Sequence, residues 1–263
     1  MRVRTVIAAV LVFTFGATAA FADGLLYQLP KDGTWVKYDL VAVDKQGSQT
    51  MLGKGTIRMA SVGQVTVEGQ PCRWIEVAFR MSIETPRGTK RPESVRFWKV
   101  LIPEKYLVKG EAPLDHAVRA WVLESGPKQT AGKPRPMKEV KAFAEGPLPL
   151  ILSGPPKDAR PLDKEEVDSK LGKLACEGVS GVLEFKEQRT TIRITPETRL
   201  NAKAPFGVVG SRWTIERGME AGTKSEGDAK TKQIAKIRSS RQEWNLKLTD
   251  FGDGAKSELP DAQ

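Results

Sequence analysis

The feature that most constrains the fold of this chain is a period-two alternation of apolar and polar residues. In the segment 73–84, an apolar side chain stands at every second position from Ile75 to Ile83, and the residues between them are mostly polar. Successive side chains of a β-strand point to opposite faces, so this pattern is typical of a strand with one buried face. The same alternation runs through 35–44, 209–216 and 241–250.

Strands of this kind predict a mainly β fold with one curved antiparallel sheet, because antiparallel sheets often bury one face and leave the other in water. The segments add up to about eight to ten strands, which we expect to form an open or half barrel. Two or three short helices are expected on one face. One is predicted from Pro113 to Gly126, where Leu114, Val118 and Trp121 recur at helical spacing, and a short polar one at 162–172.

The first 22 residues have the composition of a secretory signal peptide. Arg2 and Arg4 precede an apolar run at 5–20, and the triplet Ala-Phe-Ala at 20–22 places small residues where a signal peptidase cleaves. A membrane anchor is the alternative, but a run of about 16 residues is shorter than the ~20 that span a bilayer. We therefore expect cleavage before Asp23 and a soluble mature protein in the periplasm or outside the cell.

The distribution of prolines and glycines suggests the domain organisation. Residues 23–251 predict a single β-rich domain, which is long enough to bury a core of its own. Eight of the 17 prolines fall in 127–161, so we expect an irregular insert at 126–162 without a regular element. The segment 252–263 is expected to be a disordered tail.

The two cysteines, Cys72 and Cys176, leave two alternatives open. Export would place them in an oxidising compartment, where a disulfide between them is permitted. Closing a loop of about 100 residues would then stabilise the fold by roughly 4–5 kcal/mol in the chain-entropy model. In the other alternative they are two buried thiols that behave as small apolar groups.

The positive charge of the chain bears on its partners. The formal charge of +10 falls to +8 once Arg2 and Arg4 leave with the signal peptide. For an exported protein we expect no nucleic acid as a partner, whereas an anionic membrane surface is one candidate and a solvated basic surface the alternative. We expect a monomer. The insert carries a basic patch that consists of Lys128, Lys133, Arg135, Lys138 and Lys141.

Motifs for catalysis and metal binding are few in this sequence. His116 is the only histidine, which excludes a histidine-rich metal site and leaves one candidate base for Ser-His or Cys-His catalysis. The glycines at 47 and 53 are separated by five residues, whereas a phosphate loop has four, so we interpret this segment as a hairpin turn. We therefore expect no catalytic residues, no metal and no cofactor. A hydrolase stays an open alternative, since paired carboxylates on facing strands leave no local motif.

The candidate ligand site combines the proline-bracketed apolar run at 148–152 with two late strands. The run is predicted to be a loop, and it is either a lid over an apolar cavity or a segment packed on the edge of the core. Trp213 and Trp244 lie on the apolar faces of neighbouring predicted strands and could pair across the sheet. The predicted ligand-binding residues are Leu148, Leu150, Ile151, Leu152, Val209, Trp213, Ile215, Trp244 and Leu246.

An exported antiparallel sheet that is interrupted midway by short helices and a proline-rich loop resembles the periplasmic lipoprotein-carrier superfamily, the localisation-factor proteins. The most similar stretch, 178–216, contains the hairpin GVLEFKEQRTTIRITPETR and then KAPFGVVGSRWTIE, where a Pro-Phe-Gly step leads into a late strand. The resemblance implies an unclosed sheet whose helices plug a hydrophobic concave face that holds acyl chains, and it implies no catalytic residues. The segment LLYQLPKDGTWVKYDL is also similar to the mature N-termini of uncharacterised secreted proteins of planctomycete-type bacteria.

These observations favour a non-catalytic exported envelope protein. Our leading hypothesis is that it binds an apolar or amphipathic ligand, a lipid or a lipoprotein acyl chain, in the groove of an open β-barrel. A structural or interaction module with a filled core is the first alternative. A hydrolase that acts on envelope glycans or lipids is the second.

Overall fold

The computed structural model describes residues 24–46, 49–86, 88–125, 133–137, 147–187, 190–219 and 240–259. The predicted signal peptide and its cleavage site before Asp23 lie outside these residues, as do three members of the basic patch, Lys128, Lys138 and Lys141. Within the described part of the chain, no helix is long and apolar enough to cross a membrane.

The strands are β1 (Trp35–Gln46), β2 (Gln49–Val67), β3 (Gln70–Glu84), β4 (Ser94–Pro103), β5 (Arg119–Ser125), β6 (Arg135–Pro136), β7 (Lys157–Ser169), β8 (Gly172–Glu187), β9 (Thr190–Leu200), β10 (Val208–Met219) and β11 (Ser240–Gly252). In the described part of the chain, the helices are two 3₁₀ turns, Glu104–Tyr106 and Pro113–His116, and one α-helical turn, α1 (Leu148–Ile151).

All the strands belong to one 11-stranded sheet in the order β6-β5-β4-β3-β2-β1-β11-β10-β9-β8-β7. Each pair of neighbours is antiparallel, and β1 pairs with β11 so that the two ends of the domain meet in the middle of the sheet. The two edges, β6 and β7, do not pair with each other. The prediction of a mainly β fold with an unclosed antiparallel sheet is therefore confirmed, with eleven strands instead of about eight to ten.

The sheet is curved toward one face. Phe79 of β3 and Trp244 of β11 are three strands apart, and in a flat sheet that separation would be about 14 Å. Their ring centroids are instead 6.1 Å apart and the rings are stacked. This concave face carries the alternating apolar residues, and the predicted inward set of β3 is confirmed at its centre, where Ile75 and Val77 are fully buried.

The helix predicted from Pro113 to Gly126 is wrong beyond its first turn. Pro113–His116 is a 3₁₀ turn, and the chain then continues as the strand β5. Val122 lies opposite Trp98 on the concave face, while Trp121 packs against Trp74 on the convex face with ring centroids 5.2 Å apart. Both faces of β5 therefore carry apolar side chains. Apolar residues on both faces of a strand can recur at the spacing that is typical of an amphipathic helix, which is why a helix was predicted here.

The short polar helix predicted at 162–172 is also wrong. This segment is the second half of β7 and the turn into β8, with Ser169 opposite Gly172. Most side chains of β7 are exposed because it is an edge strand, and Gly172 adopts a positive φ of 87° at the turn. Polar and charged residues are common on such edges, where they discourage pairing with other chains.

The proline-rich insert contains more regular structure than we expected. The run at 148–152 begins with the single α-helical turn α1 instead of a loop, and β6 and the start of β7 also fall within 126–162. Pro147 precedes α1 and Pro149 occupies one of its first positions. A proline in the first turn of a helix removes no intrahelical hydrogen bond, so the prolines are compatible with α1.

The tail expected to be disordered is ordered over its described part, 252–259, and lies on the convex face. The carboxylate of Glu76 accepts hydrogen bonds from the backbone N–H groups of Glu258 (2.9 Å) and Leu259 (3.3 Å), and from the hydroxyl of Ser257. Lys99 donates to the same hydroxyl at 2.9 Å, and Leu259 is 1% exposed. These bonds fix a segment whose composition alone favours disorder.

Of the two alternatives for the cysteines, a disulfide or two buried thiols, the structure has the buried thiols. Cys72 on β3 and Cys176 on β8 are both buried and free, so there is no disulfide between them. Burial raises the pKa of the Cys176 thiol. β3 and β8 lie on opposite arms of the sheet, with five strands between them in the strand order.

Candidate ligand-binding groove

One end of the concave face is filled by protein. The helical turn α1 lies over it and is held by the N-terminal segment, where the N–H of Leu25 donates to the carbonyl of Ile151 at 2.8 Å. Gly24 is required at this contact, since a Cβ there would stand 2.4 Å from the same carbonyl oxygen. Between α1 and the strands at this end lies a cavity of about 10 Å³, bordered by Leu150, Trp213 and others, which has room for one water at most.

The other end of the concave face is an open groove of about 490 Å³. Its floor is low because small residues of adjacent strands, Ala42 of β1 and Gly53 of β2, face each other there. Larger apolar side chains form the walls. These include Met51 from β2, Phe79, Met81 and Ile83 from β3, Val95 from β4, Phe185 from β8, Ile192 and Ile194 from β9, Ile215 from β10, Trp244 from β11, and Pro147, Pro149 and Leu150 from α1 and the residue before it.

Trp244 connects the groove to the packed core. Its ring stacks on Trp213 across the β10–β11 pair, with ring centroids 6.0 Å apart, and on Phe79 at 6.1 Å. Trp213 is 2% exposed, whereas Trp244 is only half-buried because one side of its ring borders the groove. The predicted pairing of the two tryptophans is thus present, and it places one ring in the core and the other at the site.

The rim of the groove carries polar and charged side chains at inward positions. On one arm of the sheet, the guanidinium of Arg96 pairs with the carboxylate of Glu124 at 2.9 Å. At the centre, the amide of Gln242 donates to the carboxylate of Asp44 at 3.0 Å. On the other arm stands Arg217 of β10, in register with Ile192 of β9. The groove therefore has an apolar interior and an ionic entrance.

The nine predicted ligand-binding residues divide between the groove and the core. Three of them, Leu150, Ile215 and Trp244, line the groove. The other six are packed in the core at or near the filled end, and each is at most 5% exposed: Leu148, Ile151, Leu152, Val209, Trp213 and Leu246.

Sequence reasoning missed the floor and the rim of the groove. A signal for the rim was present, because Asp44, Gln242 and Arg217 stand at positions where the alternation of β1, β11 and β10 requires inward side chains. A polar residue at an inward position indicates either a buried network or contact with water or a ligand. The floor had a weaker signal, since the facing of Ala42 and Gly53 depends on strand register.

Three observations on the described residues bear on catalysis and metal binding. No group of three or more His, Cys, Asp or Glu side chains among them is arranged to hold a metal ion. The ring of His116 stacks on Tyr106, with ring centroids 3.5 Å apart, and does not line the groove. The buried hydroxyl of Tyr38 has a pKa raised far above its ordinary value by burial, and it donates to the carbonyl of Val208 at 3.0 Å.

No protein-family model matches this chain, and no curated protein matches its sequence. The fold and the groove are therefore the observations from which function can be argued.

Proposed function

We propose that this protein is an exported binding protein that holds the apolar part of a lipid or another amphipathic ligand in the open groove. One observation carries the proposal: a groove of about 490 Å³ with an apolar interior persists at one end of a face that is otherwise close-packed. Its volume falls within the range of roughly 300–1,000 Å³ that is usual for sites that enclose one small ligand.

An apolar groove exposes its side chains to water, and this exposure is unfavourable unless a ligand covers them. Interiors are normally packed to high density, and each methylene removed from water contributes up to about 0.8 kcal/mol. An acyl chain in the groove would cover the exposed faces of Trp244, Ile83 and Met81. The affinity would be smaller than the summed burial, because ligand and side chains lose freedom on binding.

The filled-core alternative has an observation of its own. Six of the predicted binding residues lie in a core without room for a ligand, so a structural or interaction module would need only that core. The two functions differ in one measurable respect. A binding protein requires the space above Ala42 and Gly53 to hold its ligand, whereas a structural module binds no ligand there.

The test is a substitution that fills the groove. Ala42→Phe points a large side chain inward from the floor, while Val41→Phe on the same strand points outward, where Val41 is 40% exposed. We expect the wild type and Val41→Phe to bind the uncharged fluorophore N-phenyl-naphthylamine, with enhanced emission, and Ala42→Phe to bind it at least about tenfold more weakly.

Native mass spectrometry of the protein purified from its exported fraction gives a second readout. Retention of a lipid by the wild type, and its loss in Ala42→Phe with an unchanged melting temperature, would support the binding protein. Equal fluorophore binding by both variants, or none by the wild type, would contradict it.

Export and family membership stay predictions within this proposal. A mature chain that begins at Asp23 is the expected product of cleavage after the triplet at 20–22. An intact mass that retains Met1 would contradict export by this route.

A further inference from the structure

We infer that the ligand of the groove is a single-chain amphiphile with an anionic head, which pairs with Arg217 at the entrance. This inference rests on the proposed function and names the chemistry of its ligand. The shared chemistry of the head is a carboxylate or a phosphate on one long alkyl chain.

The position of Arg217 places a head group at the start of the apolar wall. On β10, Arg217 is the inward residue that follows Ile215, and it lies opposite Ile192 of β9 and Ser240 of β11. Both isoleucines line the groove together with Trp244. A ligand whose head contacts the guanidinium therefore has its first methylenes against these side chains.

The charges around the entrance favour an anion at this point. Glu124 is engaged by Arg96 at 2.9 Å and by Arg135 at 3.8 Å. Asp44, the other carboxylate of the lining, accepts a hydrogen bond from Gln242. Arg217 is exposed, and among the described residues no carboxylate lies within ion-pair distance of it, so no described carboxylate competes with a ligand for its five donors. Guanidinium groups form strong bidentate hydrogen bonds with carboxylates and phosphates.

The closed inner end of the groove determines which way the ligand enters. Beyond Phe79 and Ile215 the concave face is occupied by the buried side chains of Leu40, Ile57 and Val77, and the cavity beside α1 holds about 10 Å³. A polar head would lose its hydration at that end without gaining partners. The ligand therefore enters the groove with its alkyl tail first, and its head group stays at the rim beside Arg217.

The experiment compares four dodecyl probes below their micelle-forming concentrations, with Trp fluorescence and calorimetry as readouts. The probes are dodecanoate, dodecyl phosphate, dodecyltrimethylammonium and dodecyl maltoside. We expect the two anions to bind about tenfold more tightly than the cationic and the neutral probe, since charge-assisted hydrogen bonds to Arg217 form only with the anions. Tighter binding of dodecyl phosphate than of dodecanoate would identify a phosphate head, and the reverse order a carboxylate.

Two substitutions on the same strand provide the variant and its control. Arg217→Gln should abolish the preference for anions while leaving the binding of dodecyl maltoside unchanged, and Arg217→Lys should retain part of that preference. Arg212→Gln removes the same charge from the opposite face, where Arg212 contacts Asn245 and Glu197, so it should change nothing. Melting temperatures of all three variants check that the fold is intact.

The outcomes separate this inference from the proposed function. If all four probes bind equally, or if Arg212→Gln and Arg217→Gln weaken the binding of the anions to the same extent, the inference of an anionic head at Arg217 is wrong. The proposal that the groove binds an apolar ligand is then unaffected. If no probe binds the wild type, both are wrong. Anion preference that depends on Arg217 alone supports both.

Discussion

At one end of the concave face, Tyr38 and Leu40 of β1 are at most 1% exposed and belong to the same core as α1. At the other end of the same strand, the inward positions are occupied by Ala42 and then Asp44, and the face is open. β2 changes in parallel, from Ile57 at the filled end to Gly53 in the groove. The strands, their register and their curvature are shared by both ends.

The difference shows that the groove results from side-chain size at inward positions and not from a break in the sheet. Backbone pairing between β1 and β2 continues through the groove without a register shift. One end of the sheet thus supplies packing energy, while the other keeps its space with small residues on the floor and polar residues on the rim. Variants at equivalent inward positions can therefore separate stability from binding.

The largest expected effect comes from two isoleucines on the inward face of β3. Ile75 is fully buried at the filled end, whereas Ile83 is half-buried and lines the groove. Ile75→Ala should lower the free energy of unfolding by about 2–5 kcal/mol, because it removes apolar contacts and leaves a cavity. Ile83→Ala should cost less than about 1 kcal/mol, since much of its side chain already faces open space.

Urea denaturation of both variants, fitted with a common m-value, measures the difference between their free energies of unfolding. Phe79, between the two isoleucines on the same face, should give an intermediate loss when changed to Ala, because it is 8% exposed and borders the groove. Equal losses at Ile75 and Ile83 would mean that the two ends are packed alike.

Where strands are half-buried, the alternation in the sequence was sufficient to predict them and their inward faces. Side chains on one face of a strand share an environment, so Val36, Tyr38 and Leu40 could be assigned to the core without knowledge of the strand order. The antiparallel pairing followed from the same pattern, whereas the pattern does not determine whether the sheet closes. The order itself, in which β1 and β11 are central neighbours, depends on pairing between the two ends of the chain and has no local signal.

The errors arose where a strand departs from half-burial. β5 is covered by apolar partners on both faces, and β7 is an exposed edge, so neither alternates and each was predicted to be a helix. The candidate site was displaced for a related reason. Sequence identifies inward side chains and their sizes, but strand register and the position of α1 also determine which of them are packed and which line a groove.

A smaller effect is expected at Tyr38, within the filled end. Tyr38→Phe removes its hydrogen bond to the carbonyl of Val208 and should cost about 1–2 kcal/mol. Burial raises the pKa of Tyr38, so the folded state retains the phenol proton that the unfolded state releases near pH 10. This contribution is fully present below about pH 10 and is lost as the pH rises further.

The wild type should therefore lose stability above about pH 10 more steeply than Tyr38→Phe, by up to about 1.4 kcal/mol per pH unit. Chemical denaturation over the alkaline range provides the measurement. Parallel pH profiles for the two proteins would show that the hydroxyl is accessible, and the filled end would then be less closed than its packing indicates.

The smallest expected change in stability is at the floor of the groove. Two glycines of β2, Gly53 and Gly55, differ in what an added Cβ atom would contact. A Cβ on Gly53 would meet only side chains, the Cβ of Ala42 at 3.2 Å and the terminal methyl of Met81 at 3.3 Å, and Gly53 has no positive φ. A Cβ on Gly55 would stand 2.0 Å from the carbonyl oxygen of Arg80, which is backbone and cannot move aside. Gly53→Ala should therefore change the free energy of unfolding by less than about 1 kcal/mol, because the lower entropy of the unfolded chain offsets the tight contacts. Gly55→Ala should destabilise the protein by about 1–3 kcal/mol or more.

The effect of Gly53→Ala on binding should be large compared with its effect on stability. The added methyl group raises the floor of the groove and should weaken the binding of N-phenyl-naphthylamine severalfold, while the free energy of unfolding changes by less than about 1 kcal/mol. A protein with Gly53→Ala that binds the fluorophore as the wild type does would show that the space above the floor is not where the ligand lies.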